Sequence, residues 1–136
     1  MPNGPIPVVR VKLGVQFTTI APAGFAILGA LHTAARMLLC DLTITSACDG
    51  AHSGPDDPHH RGEAYDVRTR GLAPVVQDAL LATVIALLRE PGEPPAARAG
   101  AIPRSLETAR FFAFIEDAGT DNEHLHVQRR RGTVYP

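Results

Sequence analysis

The residues from Pro58 to Arg70, PHHRGEAYDVRTR, decide how the rest of this chain is read. They place His59, Gly62, Ala64 and Asp66 in the pattern H-x-x-G-x-A-x-D. Gly62 marks a tight turn, where a missing Cβ permits positive φ. Glu63 to Arg68 then reads as a strand that carries Asp66. The loop before it, Ala47 to Pro58, is full of Gly, Pro, Asp and Ser. Upstream of that loop, Leu42 to Ser46 (LTITS) alternates apolar and hydroxyl residues and reads as a second strand.

Further upstream, Met1 to Pro7 is rich in Pro and Gly and reads as an irregular arm, and Val8 to Phe17 alternates weakly enough for only a short strand. Pro22 suits the first turn of a helix. From there Ile27, Leu31, Ala34 and Leu38 recur at helical spacing, with His32 and Arg36 on the outer face.

Downstream, Pro74 opens a second helix that runs to about Arg89 through Val76, Leu80, Val84 and Leu87. It is apolar nearly all round, which predicts deep burial, and Pro91 ends it. Glu90 to Pro103 is crowded with Pro, Gly and Ala and reads as a mobile loop. Phe111 to Glu116 (FFAFIE) is a strong strand, Asp117 to Asn122 a polar turn, and Glu123 to Gln128 a last strand. The last two predict an antiparallel hairpin. The expected fold is α+β: a single domain over residues 1–136, with a small antiparallel sheet and helices packed on one face.

A chain of 136 residues is long enough for a real hydrophobic core. A formal charge of −1 argues against a general nucleic-acid binder, and Arg129-Arg130-Arg131 is expected to be a solvated run. Two cysteines, Cys40 and Cys48, are too few for a disulfide framework and read as small buried hydrophobes. Leu13 to Ala35 lacks charge, but Gln16, Thr18, Thr19, Pro22 and His32 interrupt it. The expectation is a soluble monomer without membrane insertion or a targeting segment.

The chemistry lies in two short stretches. A zinc site in a hydrolase uses about three N or O ligands and leaves one position open. His59, Asp66 and His126 supply two imidazoles and a carboxylate. In Glu123-His124-Leu125-His126, strand alternation aims His124 and His126 to the same side. Glu123 lies at the bend where the turn enters the strand, a place from which a carboxylate reaches metal-bound water. Each piece alone also fits a solvated His-rich loop, with His52 and His60 beside His59, or a structural H-x-H.

The combination of His59-x-x-Gly62-x-Ala64-x-Asp66 with Glu123-x-x-His126 resembles the zinc D-alanyl-D-alanine carboxypeptidases and their relatives. Those relatives include phage endolysin peptidases that cut peptidoglycan stem peptides. The group shares a fold with lysostaphin-type endopeptidases and the hedgehog signalling domain. The resemblance runs from about Leu42 to Gln128. It implies that His59, Asp66 and His126 bind zinc, that Glu123 is the general base, and that His124 lines the site and stabilises the transition state. It also implies a peptidoglycan peptide as substrate, with synthesis in a bacterial or phage-infected cell and action on the cell wall.

The chain departs from the family pattern in two places. Asp57 stands where the family has a serine, two residues before the first ligand. Ala47-Cys48-Asp49-Gly50 lacks the arginine that usually holds the substrate carboxylate. Endopeptidase cleavage, or a carboxylate held by Arg61, Arg68 or Arg70, stays open on this reading. So does a non-catalytic zinc-binding domain of the same fold. Glu116 is the next carboxylate to consider as base.

Overall fold

A computed structural model of the chain describes residues 6–50, 54, 56–98, 102–133 and 135. Two helices and six strands follow one another as β1 (Val9–Val11), α1 (Pro22–Met37), β2 (Leu42–Ser46), β3 (Ala64–Arg68), α2 (Pro74–Leu87), β4 (Ser105–Glu107), β5 (Phe111–Glu116) and β6 (His124–Arg129). The strands form one sheet in the order β1-β2-β3-β6-β5-β4. The fold is α+β, but the sheet is mixed, because β1 pairs parallel to β2 while every other pairing is antiparallel. A parallel pair needs a crossover connection, and α1 supplies it.

Both helices start at a proline and lack a side-chain N-cap. Their stability therefore rests on packing. From α1, Ala23, Ile27, Ala30, Leu31, Ala34 and Ala35 are buried; from α2, Leu80, Leu81, Val84 and Ile85 are. The small side chains of α1 let it lie against α2, β3 and β6, while α2 covers β4 and β5. The buried residues of the sheet that meet them are Leu42, Ile44, Tyr65, Val67, Phe111, Ala113, Ile115, Leu125 and Val127. Each large side chain buried here contributes about 1.5–3 kcal/mol. The deep burial expected of α2 holds for one face only: Leu80, Leu81, Val84 and Ile85 are buried, but Val75 is 75% and Leu87 40% exposed.

Strand β4 also departs from the sequence reading. It lies just past the segment expected to be a mobile loop, and Ala97 within that segment exchanges both backbone hydrogen bonds with Glu107. Residues 99–101 of the segment lie outside the described residues, as do most of residues 1–7 and His52. The Arg129 side chain is not solvated as its run suggested. It forms an ion pair with Glu63 and is only 12% exposed, so it ties the end of β6 to the start of β3.

Gly62 shows why the motif needs glycine. Its φ is +71°, and a Cβ there would stand 2.3 Å from the Thr19 carbonyl oxygen. The Gly62 carbonyl in turn accepts hydrogen bonds from the Ala21 amide (3.2 Å) and the Tyr65 hydroxyl (3.3 Å). A Cβ on Gly24, in the first turn of α1, would meet that same carbonyl at 2.1 Å. The turn beside His59 is thus locked against α1 by two glycines. Gly62→Ala is expected to cost about 3 kcal/mol or more, since strain and a backbone clash add. Gly71 has φ +92° with open space around it, so Gly71→Ala should cost only the left-handed strain, about 1–2 kcal/mol. Urea unfolding of both variants checks the difference.

Candidate metal centre

The helices cover one face of the sheet, and the other face carries the polar residues singled out by sequence. Along β5 the buried residues are Phe111, Ala113 and Ile115, which leaves Phe112, Phe114 and Glu116 on the open face. Along β6, Leu125 and Val127 belong to the core, so His124, His126 and Gln128 face the open side. Pairing then sets the neighbours. Asp66 of β3 lies opposite His126 of β6, which lies opposite Phe114 of β5. One step along, Arg68, His124 and Glu116 form the next row. The register between β2 and β3 shifts between Ile44 and Ser46, and Ser46 pairs with Asp66 at the edge of the cluster.

His59, Asp66 and His126 converge as the spacing predicts. His59 Nε2 is 3.3 Å and His126 Nδ1 2.9 Å from Asp66 Oδ1. The three ligand atoms all lie within 4.8 Å of one another, so the group is able to hold a metal ion. Ligands about 2.1 Å from a tetrahedral zinc stand about 3.4 Å apart, close to these separations.

The second nitrogen of each imidazole is already committed. His59 Nδ1 lies 3.0 Å from the Ala47 carbonyl oxygen, to which it donates, and this turns Nε2 toward Asp66. Gln128 donates through Nε2 to the Arg129 carbonyl, which turns its Oε1 to His126 Nε2 at 2.7 Å. Metal-binding histidines characteristically donate their other N–H to a carbonyl or carboxylate in this way. Sequence reasoning missed both supports. The Ala47 carbonyl carries no side-chain signal, but Gln128 is readable, two residues beyond His126 on the same strand face.

The charges fit a cation. Burial raises the Asp66 carboxyl, yet its hydrogen bonds with His126 and His59 outweigh burial and hold it well below the ordinary carboxylate range. Burial lowers His126, and its bond to Asp66 together with the charges of Asp66 and Glu116 and the bond to Gln128 raises it overall. Both His126 nitrogens face acceptors, so a metal at Nδ1 displaces a proton. Phe114 closes one side, its ring centroid 5.3 Å from that of His126.

Glu123 and His124 go to different partners. His124 lies beside the cluster, with Nδ1 2.7 Å from the Asn122 carbonyl oxygen and Nε2 2.7 Å from Glu116 Oε2. Asp66, Glu116 and His124 form a second group able to hold an ion. Glu123 belongs to neither group. Its Oε1 accepts from Thr69 Oγ1 (2.9 Å) and from Gln77 Nε2 of α2 (2.6 Å), and its Oε2 from the Gly119 amide (2.9 Å). The Gly119 bond above all, then those of Thr69 and Gln77, lower its pKa despite some burial.

Of the arginines considered for a substrate carboxylate, Arg61 pairs with Glu63 at 3.3 Å. Arg68 and Arg70 instead line a cavity of about 170 Å³ together with Lys12, Thr45, Asn122 and His124 and the acidic Asp121 and Glu123. Neither cysteine joins a metal-binding group among the described residues; Cys48 Sγ donates to the Thr19 carbonyl.

Family models, curated proteins and solved structures give no match to this chain. The geometry therefore carries the class: an α+β chain whose open sheet face bears a His–Asp–His cluster able to hold a metal ion. No helix among the described residues is long and apolar enough to cross a membrane.

Proposed function

We propose that this chain is a zinc-dependent peptidase acting on peptidoglycan stem peptides, with the fold shared by D-alanyl-D-alanine carboxypeptidases and hedgehog domains. The observation that carries the reading is the convergence of His59 Nε2, Asp66 Oδ1 and His126 Nδ1, with the opposite nitrogens held by Ala47 and Gln128. Two imidazoles and one carboxylate suit zinc, and a three-ligand set leaves the open position that catalysis needs. The motif resemblance supplies the substrate class and the action on the cell wall.

Zinc supplies polarisation of the scissile carbonyl and activation of water near neutral pH. His59, Asp66 and His126 hold it. The motif resemblance assigns Glu123 as the base that would take the proton from water and return it to the leaving amine, a role that requires it to leave the Thr69 and Gln77 bonds it makes here. On this reading Arg68 or Arg70, which line the cavity beside His124 with Asp121 and Glu123, would receive a substrate carboxylate in place of the arginine missing after β2.

The engagement of Glu123 with Thr69, Gln77 and Gly119 favours a second reading, in which the same centre binds zinc without hydrolysis. Digestion of purified peptidoglycan, with mass analysis of the released peptides, separates the two. The peptidase reading expects new peptide termini that disappear with a chelator and return with zinc. Intact stem peptides in the presence of zinc-loaded protein would leave the binding reading.

A further inference from the structure

We infer that the open sheet face holds a second metal ion, bound by Glu116, His124 and Asp66, with Asp66 shared between the two ions. The inference rests on the reading of His59, Asp66 and His126 as the first centre and adds a neighbour to it.

Three observations carry it. The first is geometric. Glu116 Oε2 and Asp66 Oδ1 lie 2.7 and 3.7 Å from His124 Nε2, and all three ligand atoms fall within 4.8 Å of one another. Strand register builds this arrangement, since Glu116 and His124 are direct partners on β5 and β6 and Asp66 lies one row away on β3.

The second observation is the state of the imidazole. His124 is nine-tenths buried, and its Nδ1 donates to the Asn122 carbonyl at 2.7 Å. Its Nε2 is thereby aimed between two carboxylates. A second-shell carbonyl on one nitrogen and carboxylates around the other repeat the environment of His59.

The third is charge. Asp66 and Glu116 present carboxylate oxygens within 4.8 Å of each other on either side of His124 Nε2, two negative charges and an imidazole of the kind that a divalent cation takes as ligands. Asp66 belongs to both groups, so two ions here would share a carboxylate, as ions in two-metal hydrolytic centres do. Glu116 has a 43% exposed side chain, so the second ion is the more accessible and the weaker of the two. The donor set, one imidazole and two carboxylates, takes zinc or manganese.

The test is zinc titration of the metal-free full chain by calorimetry and by metal analysis after equilibrium dialysis, on the parent, Glu116→Gln, His124→Asn and His126→Ala. Circular dichroism verifies that each variant is folded, and Glu116→Gln, at an exposed position, guards against a misfolded His124 variant. The parent is expected to bind two ions per chain with distinct affinities. Glu116→Gln and His124→Asn should each weaken the second step by on the order of a hundredfold while leaving the first unchanged. Two manganese ions should give a spin-coupled resonance signal in the parent and an uncoupled one in Glu116→Gln. A parent that binds one ion, with Glu116→Gln identical to it, overturns the second site and leaves the first intact. Two ions whose binding ignores both variants place the second ion elsewhere and also overturn it. A parent that binds none, with or without the variants, overturns both centres.

Discussion

His126→Ala is expected to remove zinc from the first centre and with it all hydrolysis. On the proposed reading His126 supplies one of three ligands, and its Nδ1 lies 2.9 Å from the carboxylate oxygen that the other imidazole shares. Alanine leaves Asp66 and His59, a two-ligand set that falls short of the three protein ligands of catalytic zinc sites. The variant should still fold, because His126 lies on the open face while Leu125 and Val127 hold β6 to the core. Metal analysis after gel filtration should find the ion retained by the parent and lost from the variant. Gln128→Leu is the milder companion. It removes the acceptor that orients His126 and should weaken zinc by about ten- to a hundredfold.

Glu123→Gln is expected to keep zinc and lose hydrolysis by about a hundred- to ten-thousand-fold, the usual effect of removing a general base. Glutamine is the informative replacement. Glu123 also joins the β5–β6 turn to α2 through Gly119 and Gln77, and the amide retains an acceptor for one of those bonds. Alanine would lose all of them and confuse loss of base with loss of support. Rates on purified peptidoglycan, measured beside zinc content, distinguish the cases. Parental rates in Glu123→Gln would place the base elsewhere; Glu116, the carboxylate hydrogen-bonded to His124, is the next candidate only if it does not bind a second ion.

Strand alternation made much of this legible in advance. FFAFIE is a continuous apolar run ending in Glu116, EHLHVQ alternates with period two from His124, and the six residues between them, DAGTDN, leave room for one turn, so both the hairpin and its open-face histidines follow from sequence. The helices follow from prolines at their starts and apolar spacing after them. Strands β1 and β4 were not readable with the same force. Each has three residues, too few to display a period, and each lies at a sheet edge where its partner defines it. The parallel pairing of β1 with β2 is a tertiary choice made through α1, so the sheet was expected to be purely antiparallel. The apolar sequence of α2 overstated its burial, because Val75 and Leu87 remain exposed on a single-faced helix.

The site divides along the same line. His59, Asp66 and His126 were readable because their residue types suit a metal and the motif resemblance implies them as one ligand set, and the structure brings them together. The place of Glu123 depends on the turn. It precedes His124 by one residue, so alternation assigns it to the side of Leu125, and its bond to Gln77 of α2 agrees with that parity. Glu116 comes to His124 through hairpin register, which single residues do not announce. The Ala47 carbonyl holds His59 from the stretch where a substrate arginine was missed, so part of that stretch serves the metal ligand and not the substrate.

X-ray absorption at the zinc edge, on chain loaded with one equivalent of zinc, tests the metal centre most directly. The predicted result is a first shell of nitrogen and oxygen at about 2.0–2.1 Å with scattering from two imidazoles and no sulfur. Zinc that washes off the folded chain, or a shell containing sulfur at about 2.3 Å, would contradict a centre built from His59, Asp66 and His126.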